Sequence, residues 1–280
     1  MKIRTLLYIF VLKCIVFCDG VTAKELLFCY EDKNAAPLFL GVDKAIPIDQ
    51  PDASVEVLSL LDKAIDGVEI KFVRKPWRRC LSDLEFNRVN AVIASYRKGR
   101  ENVAVYPVDQ QGKLQDDYAV SEFSSCLIGR YKFHKEWETR EVFQNKAFTI
   151  AIPNGYGLNS ALKEEPFFIH NTFSKSKAFE LLDKGVVQAS VDLCQVDGLK
   201  VSSYPYEGNN VKPIYPPYET SHGYLVFSKK FYEENNTLSW EMWQWLSKFE
   251  SAPVYIKYLQ TLRACLSFEV EFAADCLVFR

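Results

Sequence analysis

The sequence predicts a two-lobed α/β protein, on three observations. Apolar strands and amphipathic helices alternate from Glu25 to Ala94, the alternation restarts near Ser125 after a polar stretch, and each run ends a strand on a residue suited to meet a ligand, Ser95 and Asp192. Strands alternating with helices imply mostly parallel sheets, which receive ligands beyond the carboxyl ends of their strands. Two such units facing each other enclose a cleft. The chain can support them: 48% of its 280 residues are hydrophobic, too apolar a composition for disorder.

Each element has its own signal. Glu25 to Tyr30 (ELLFCY) reads as a strand, and Ala53 to Ile65 spaces Val55, Val57, Leu58, Leu61 and Ile65 like the buried face of a helix. Val68 to Val73 alternates apolar and polar residues as a strand. Past Pro76 a helix runs through Leu81 and Leu84 to the strand 90–94, which places Ser95, Tyr96 and Arg100 at a sheet mouth. Val108 to Tyr118, with Gly112, Asp116 and Asp117, is a surface loop. Strands then follow at 125–130 and 148–152, a glycine turn at 153–157 opens a helix from Leu158, and a further helix spans 174–183. Val186 to Leu193 is strand-like, with Asp192 at its carboxyl end. After a loop holding Pro205, Pro213, Pro216 and Pro217 come a strand at 223–228 and helices around 240–249 and 253–262, the first packing Trp240, Trp243 and Trp245 into the core.

The first 23 residues form a separate signal. Lys2 and Arg4 precede a short apolar run from Leu6 to Cys18, and Val21-Thr22-Ala23 places small residues at the −3 and −1 positions of a signal-peptidase site. The run is shorter than the ~20 residues a bilayer needs. The expected product starts at Lys24 and is exported. Six cysteines then remain, Cys29, Cys80, Cys126, Cys194, Cys265 and Cys276, which in an oxidising compartment permit up to three disulfides. The nearest pair in sequence, Cys265 and Cys276, is the expected bridge, and the others are either further bridges or buried thiols.

Several chemistries are excluded. With 34 basic residues against 36 acidic ones, no basic excess exists to drive nucleic-acid binding. There is no dinucleotide-binding glycine pattern, phosphate loop, nucleophile elbow or zinc-protease helix, and His134, His170 and His222 lack metal-like spacing. No metal and no cofactor are expected.

The order of motifs is more informative than any one of them. KPWRRCLSDL at 75–84, VNAVIASYRKGR at 89–100, VAVYP at 103–107, IAIPNGYG at 150–157 and KGVVQASVD at 184–192 together resemble the family 3 extracellular solute-binding proteins. These are periplasmic receptors of amino-acid ABC importers with the two-lobed type II periplasmic-binding-protein fold. The resemblance implies lobes of discontinuous sequence, residues 24–122 with 223–280 and residues 123–222, joined by hinge strands near 119–125 and 221–227. It implies ligand capture by hinge closure without catalysis, by a monomer serving an ABC permease or a membrane sensor.

Carried over position by position, the resemblance assigns Arg100 to the ligand carboxylate, which its planar fork can meet with two charged hydrogen bonds. Ser95 would complete that carboxylate nest, and Asp192 would accept a ligand ammonium from the other lobe. The expected ligand is thus a zwitterion or related carboxylate. Tyr30 and Trp77 either wall the cleft or belong to the core. Tyr156 stands where amino-acid receptors often carry a small hydroxyl residue, and Asn90 departs from the family's first-lobe aspartate, so a ligand other than an ordinary amino acid is also expected. Two rivals remain: a dehydratase-like enzyme on the same fold, with Glu31, Asp32 or Asp192 as acid, and a sensing module with no transporter. Removing the leader takes away three basic residues and one acidic residue, so the net charge moves from −2 to −4.

Overall fold

A computed structural model describes residues 23–32, 44, 46, 51–139, 141, 144, 148–153, 167–173, 175–201 and 211–267. The first α/β unit begins with strand β1 (Lys24–Glu31), helix α1 (Ala53–Ala64), strand β2 (Val68–Lys75), helix α2 (Trp77–Glu85) and strand β3 (Ala91–Ser95). Helix α1 starts where the Asp52 carboxylate accepts the Val55 N–H at 2.8 Å, which satisfies an otherwise orphaned donor of the first turn. It buries Val55, Val57, Leu58 and Leu61. Helix α2 follows Pro76, and the Glu31 carboxylate at the end of β1 accepts the Trp77 N–H at 3.2 Å. β1 pairs in parallel with β2 over its whole length and touches β3 at Phe28.

The second unit contains β4 (Ser121–Arg130), α3 (Tyr131–Glu138), β5 (Thr149–Pro153), β6 (Phe168–Thr172), α4 (Lys175–Asp183), β7 (Ala189–Val196), β8 (Leu199–Lys200) and β9 (Val211–Pro213). The chain then returns along β10 (Glu219–Phe227) and ends its described part with α5 (Lys229–Glu234), α6 (Asn236–Leu246) and α7 (Ala252–Ser267). One path of strands, β2-β1-β3-β10-β4-β7-β5-β6, joins both units. β10 and β4 are the connecting pair: β10 lies antiparallel to β3 on one side and to β4 on the other.

Strand alternation gives each unit two apolar faces. In β1, Leu26, Phe28 and Tyr30 join the larger core with α1, Trp243 and Tyr255, whereas Cys29 points into a second cluster with Cys80, Leu84, Val92 and Tyr224. Trp243 is fully buried and its indole N–H donates to the Leu225 carbonyl at 2.7 Å. In the second unit Ile150, Ile152, Val191 and Phe148 form one face, and Ala151, Phe179, Leu182 and Val187 the other.

Two disulfides form, Cys29–Cys80 and Cys126–Cys194, one in each unit. Cys276 of the expected Cys265–Cys276 bridge, all but the last residue of the expected leader 1–23 and the first residues of the helix expected from Leu158 lie outside the described residues. The sequence expectation lacks β6, β8 and β9, and three of the strands it holds have other bounds. β4 and β10 begin about four residues earlier than their apolar segments, because the mostly polar residues 121–124 and 219–222 form the β4–β10 ladder. β7 runs on to Val196, so Asp192 is not its last residue. Among the described residues no helix is long and apolar enough to cross a membrane.

Candidate ligand-binding site

The strand register sets the carboxyl ends of β3 and β7 on either side of the β4–β10 pair. Ser95 at the carboxyl end of β3 lies opposite Gly223, which in turn lies opposite Ser121 at the start of β4. Asp192 lies opposite Cys126, five residues further along β4, which at ~3.4 Å per residue is about 17 Å along the strand. β7 runs towards β3 and β3 runs towards β7, so their carboxyl ends converge on this gap. The parallel pairing of β7 with β5 ends at Ser190. Asp192 is therefore placed just beyond the parallel part of its sheet, although it is inside its strand. Gly223 permits the close crossing: a Cβ there would come within 3.3 Å of Ile93 and Phe123 side chains.

The first mouth is a turn folded back on its own strand. Gly99 adopts φ +92°, a left-handed conformation that suits glycine. The turn lets the half-buried Arg100 point back, and its Nη1 donates to the Ser95 carbonyl at 2.5 Å. The Tyr106 hydroxyl donates to the same oxygen at 3.1 Å. Burial pushes the Tyr106 phenol up to about 12 against the opposing pull of Arg100, so it remains a donor at neutral pH. Arg97, on the same turn, is held below the ordinary arginine range, by burial first and by the Arg100 charge second, with Glu219 on β10 acting in the other direction. The mouth thus carries two guanidiniums close enough to repel.

The second mouth carries a buried carboxylate already in use. The Asp192 side chain is 2% exposed, its Oδ1 accepts the Leu193 N–H at 2.8 Å, and the same oxygen is paired with the Lys175 ammonium at the start of α4. Lys175 also lies over the Phe179 ring at 5.9 Å. Nearby, the Ser190 hydroxyl donates to the Ala151 carbonyl at 3.0 Å, tying β7 to β5.

The remaining sequence candidates are not brought together. Tyr30 is fully buried, stacked on Phe28 at 6.1 Å with the Arg74 guanidinium 5.2 Å from its ring centre. Trp77 is half-buried on the opposite face of the sheet, beside the Cys29–Cys80 cluster. The two rings therefore do not form one aromatic wall: β1 alternation sends Tyr30 into the core. Tyr156 lies outside the described residues. Sequence reasoning missed Arg97 and Lys175. Arg97 was visible as a second arginine one turn before Arg100, whereas Lys175 gave no local signal of its pairing with a residue 17 positions later.

No family model and no curated protein sequence matches the chain. Its fold does match solved structures. One is the ancestral amino-acid-binding protein AncCDT-1, a precursor of cyclohexadienyl dehydratase, at 16% identity and a TM-score of 0.60, covering 84% of this chain and 95% of that one. A second is an amino-acid ABC transporter substrate-binding protein from Streptococcus pneumoniae bound to L-arginine, at 13% identity and a TM-score of 0.58 over 86% and 94%. A third is the GluR0 ligand-binding core from Nostoc punctiforme in complex with L-glutamate, at 14% identity and a TM-score of 0.56 over 83% and 98%. The chain has the two-lobed fold of the type II periplasmic-binding proteins. β4 and β10 are the strands that join its two α/β units.

Proposed function

We propose that the protein is an exported solute-binding protein that captures a small carboxylate-bearing solute between its lobes, for uptake or sensing. The observation that supports it is the strand register, in which β3, ending at Ser95, and β7, carrying Asp192, run towards each other on either side of the paired β4 and β10. The proposed lobes are residues 24–122 with 223–280, and residues 123–222. A ligand touching both mouths makes contacts in the closed state that the open state lacks, which is what shifts a hinge equilibrium. Arg100 meets the carboxylate, and Ser95 contributes by orienting that guanidinium through its carbonyl. The role requires no covalent chemistry. Delivery to an ABC permease or a membrane sensor, by a monomer in the periplasm after leader cleavage, completes the reading; solved structures with this fold are named as an ABC transporter substrate-binding protein and as the GluR0 ligand-binding core.

A thermal-shift screen of amino acids and small carboxylates tests it. A ligand at 100 times its Kd adds about 2.7 kcal/mol of stability, so at least one carboxylate is expected to raise Tm by several degrees. A flat screen across zwitterions, monocarboxylates and dicarboxylates contradicts the proposal.

A further inference from the structure

The geometry points to a second ligand site in the second α/β unit, away from Arg100, that takes a small monocarboxylate with an apolar body. A cavity of about 310 Å³ opens where the end of β4 and the start of α3 meet the turn between α4 and β7. Small-molecule sites usually occupy about 300–1,000 Å³, so the space suits a small ligand. Arg130, on its wall, ends β4 nine positions beyond Ser121, which the register sets opposite Gly223 and hence beside Ser95. At ~3.4 Å per residue this puts the cavity about 30 Å along the strand from the Ser95 end. The two places cannot share one small ligand, and this site does not depend on the solute-binding reading.

The cavity has an apolar floor and a charged rim. Buried Phe133, Phe148 and Val187 make the floor, the two rings lying 5.6 Å apart and tilted by 51°. Phe133 lies close on β4 because Gly129 has no Cβ; one there would come within 2.6 Å of the ring. At the rim, Arg130 reaches the α4–β7 turn, where its Nη2 donates to the Asp183 carbonyl and a Cβ at Gly185 would stand 3.3 Å from Nη1. Among the described residues Nη1 and Nε make no hydrogen bond, so charged donors remain for an anion. Gln188 adds a neutral donor. Its Oε1 accepts the Thr149 N–H at 2.8 Å, which fixes the carboxamide and leaves the amide hydrogens unengaged among the described residues. Lys132 and Glu136 complete the rim one helical turn apart, 3.7 Å from each other. With Arg130 they carry one net positive charge, which a single carboxylate neutralises and a second would reverse. The floor then calls for a ring or short chain behind that carboxylate.

Phenylacetate, benzyl alcohol and benzylamine share a benzyl group and differ in the head group, so together they separate rim from floor. Calorimetric titration of the full mature chain is expected to give phenylacetate about tenfold tighter binding than either of the others. In an isotope-labelled sample the Val187 and Gln188 amide resonances are expected to shift with phenylacetate. Arg100→Ala is expected to keep this binding, because the cavity lies elsewhere. Val187→Trp, which fills the floor, is expected to abolish it, and Arg130→Gln to weaken it about tenfold. Arg130 also braces a turn, so Lys132→Gln, at a side chain 89% exposed, supplies a charge variant that leaves the fold alone. It is expected to weaken phenylacetate about threefold. Binding that Arg100→Ala removes, that survives Val187→Trp in a folded protein, or that neither charge variant alters overturns the inference. So does benzyl alcohol or benzylamine binding as tightly as phenylacetate, or a titration that shows no binding.

Discussion

Asp83 and Asp192 are buried aspartates in the first and second α/β units, each 2% exposed at the side chain, and their surroundings differ in kind. Asp83, in α2, faces Lys75 Nζ at 2.8 Å, Arg79 Nε at 3.1 Å and Arg88 Nη1 at 3.5 Å, and its carbonyl accepts the Arg88 N–H at 2.7 Å. Its partners come from the end of β2, from α2 and from the turn into β3, so this carboxylate fastens three pieces of backbone together. The hydrogen bond from Lys75 is the main reason that the Asp83 carboxyl lies below the usual carboxylate range. Asp192 instead pairs with the Lys175 ammonium at the start of α4 and accepts the Leu193 N–H. A carboxylate shared by three cations from separate pieces of backbone is a structural fastener, whereas Asp192 links β7 to the start of α4.

The largest expected effect strikes the supports behind both mouths. Cys29–Cys80 clips α2 to β1 and Cys126–Cys194 clips β4 to β7, closing loops of 51 and 68 residues. Replacing either pair by serine should cost about 2–4 kcal/mol, read as a lower denaturation midpoint in urea. An unchanged midpoint would show that the bridge does not hold its lobe.

Next in size is Asp83→Asn, expected to cost about 1–2 kcal/mol at pH 7 because its partners are partly exposed. The sign with pH follows from the depressed carboxyl. The stabilisation is complete above the unfolded value of about 4 and is lost as pH falls through the lower folded value. Wild type and variant should therefore differ in stability at pH 7 and converge in acid, with carboxylate affinity at pH 7 unaltered. A difference that stays constant down to acid pH would remove the fastener role.

Asp192→Asn should be milder in stability, about 1 kcal/mol, because Lys175 can turn to solvent. Equal destabilisation by the two Asn variants in urea would erase the distinction between the two aspartates. Arg97→Ala is the smallest case, expected to change stability by under about 0.5 kcal/mol while weakening binding of a carboxylate several-fold; unchanged binding by titration would confine the site to Arg100.

The parts of the fold that were legible in the sequence are those whose side-chain pattern is set by burial. α1 is visible because Val55, Leu58 and Leu61 mark one helix face, and β1 and β2 because each alternates or fills a core. The polar halves of β4 and β10 were not legible, since Ser121–Ser124 and Glu219–His222 owe their strand conformation to pairing with each other. β6 escaped for a related reason: as the end strand of the sheet path it leaves Phe168, His170 and Asn171 exposed, so no buried alternation marks it. At the site, Arg100 and Ser95 were readable as neighbours on one turn, but the burial of Tyr30 and the Lys175–Asp192 pair depend on tertiary contacts that spacing does not encode.

The central claim is that one guanidinium anchors the ligand at the first mouth. Titration of Arg100→Ala with the carboxylate that most stabilises the wild type tests it directly. Losing a charged hydrogen-bonded anchor of this kind costs about 2–5 kcal/mol, so the affinity is expected to fall at least thirtyfold while the circular dichroism spectrum stays the same. Unaltered affinity in a folded variant would contradict the account.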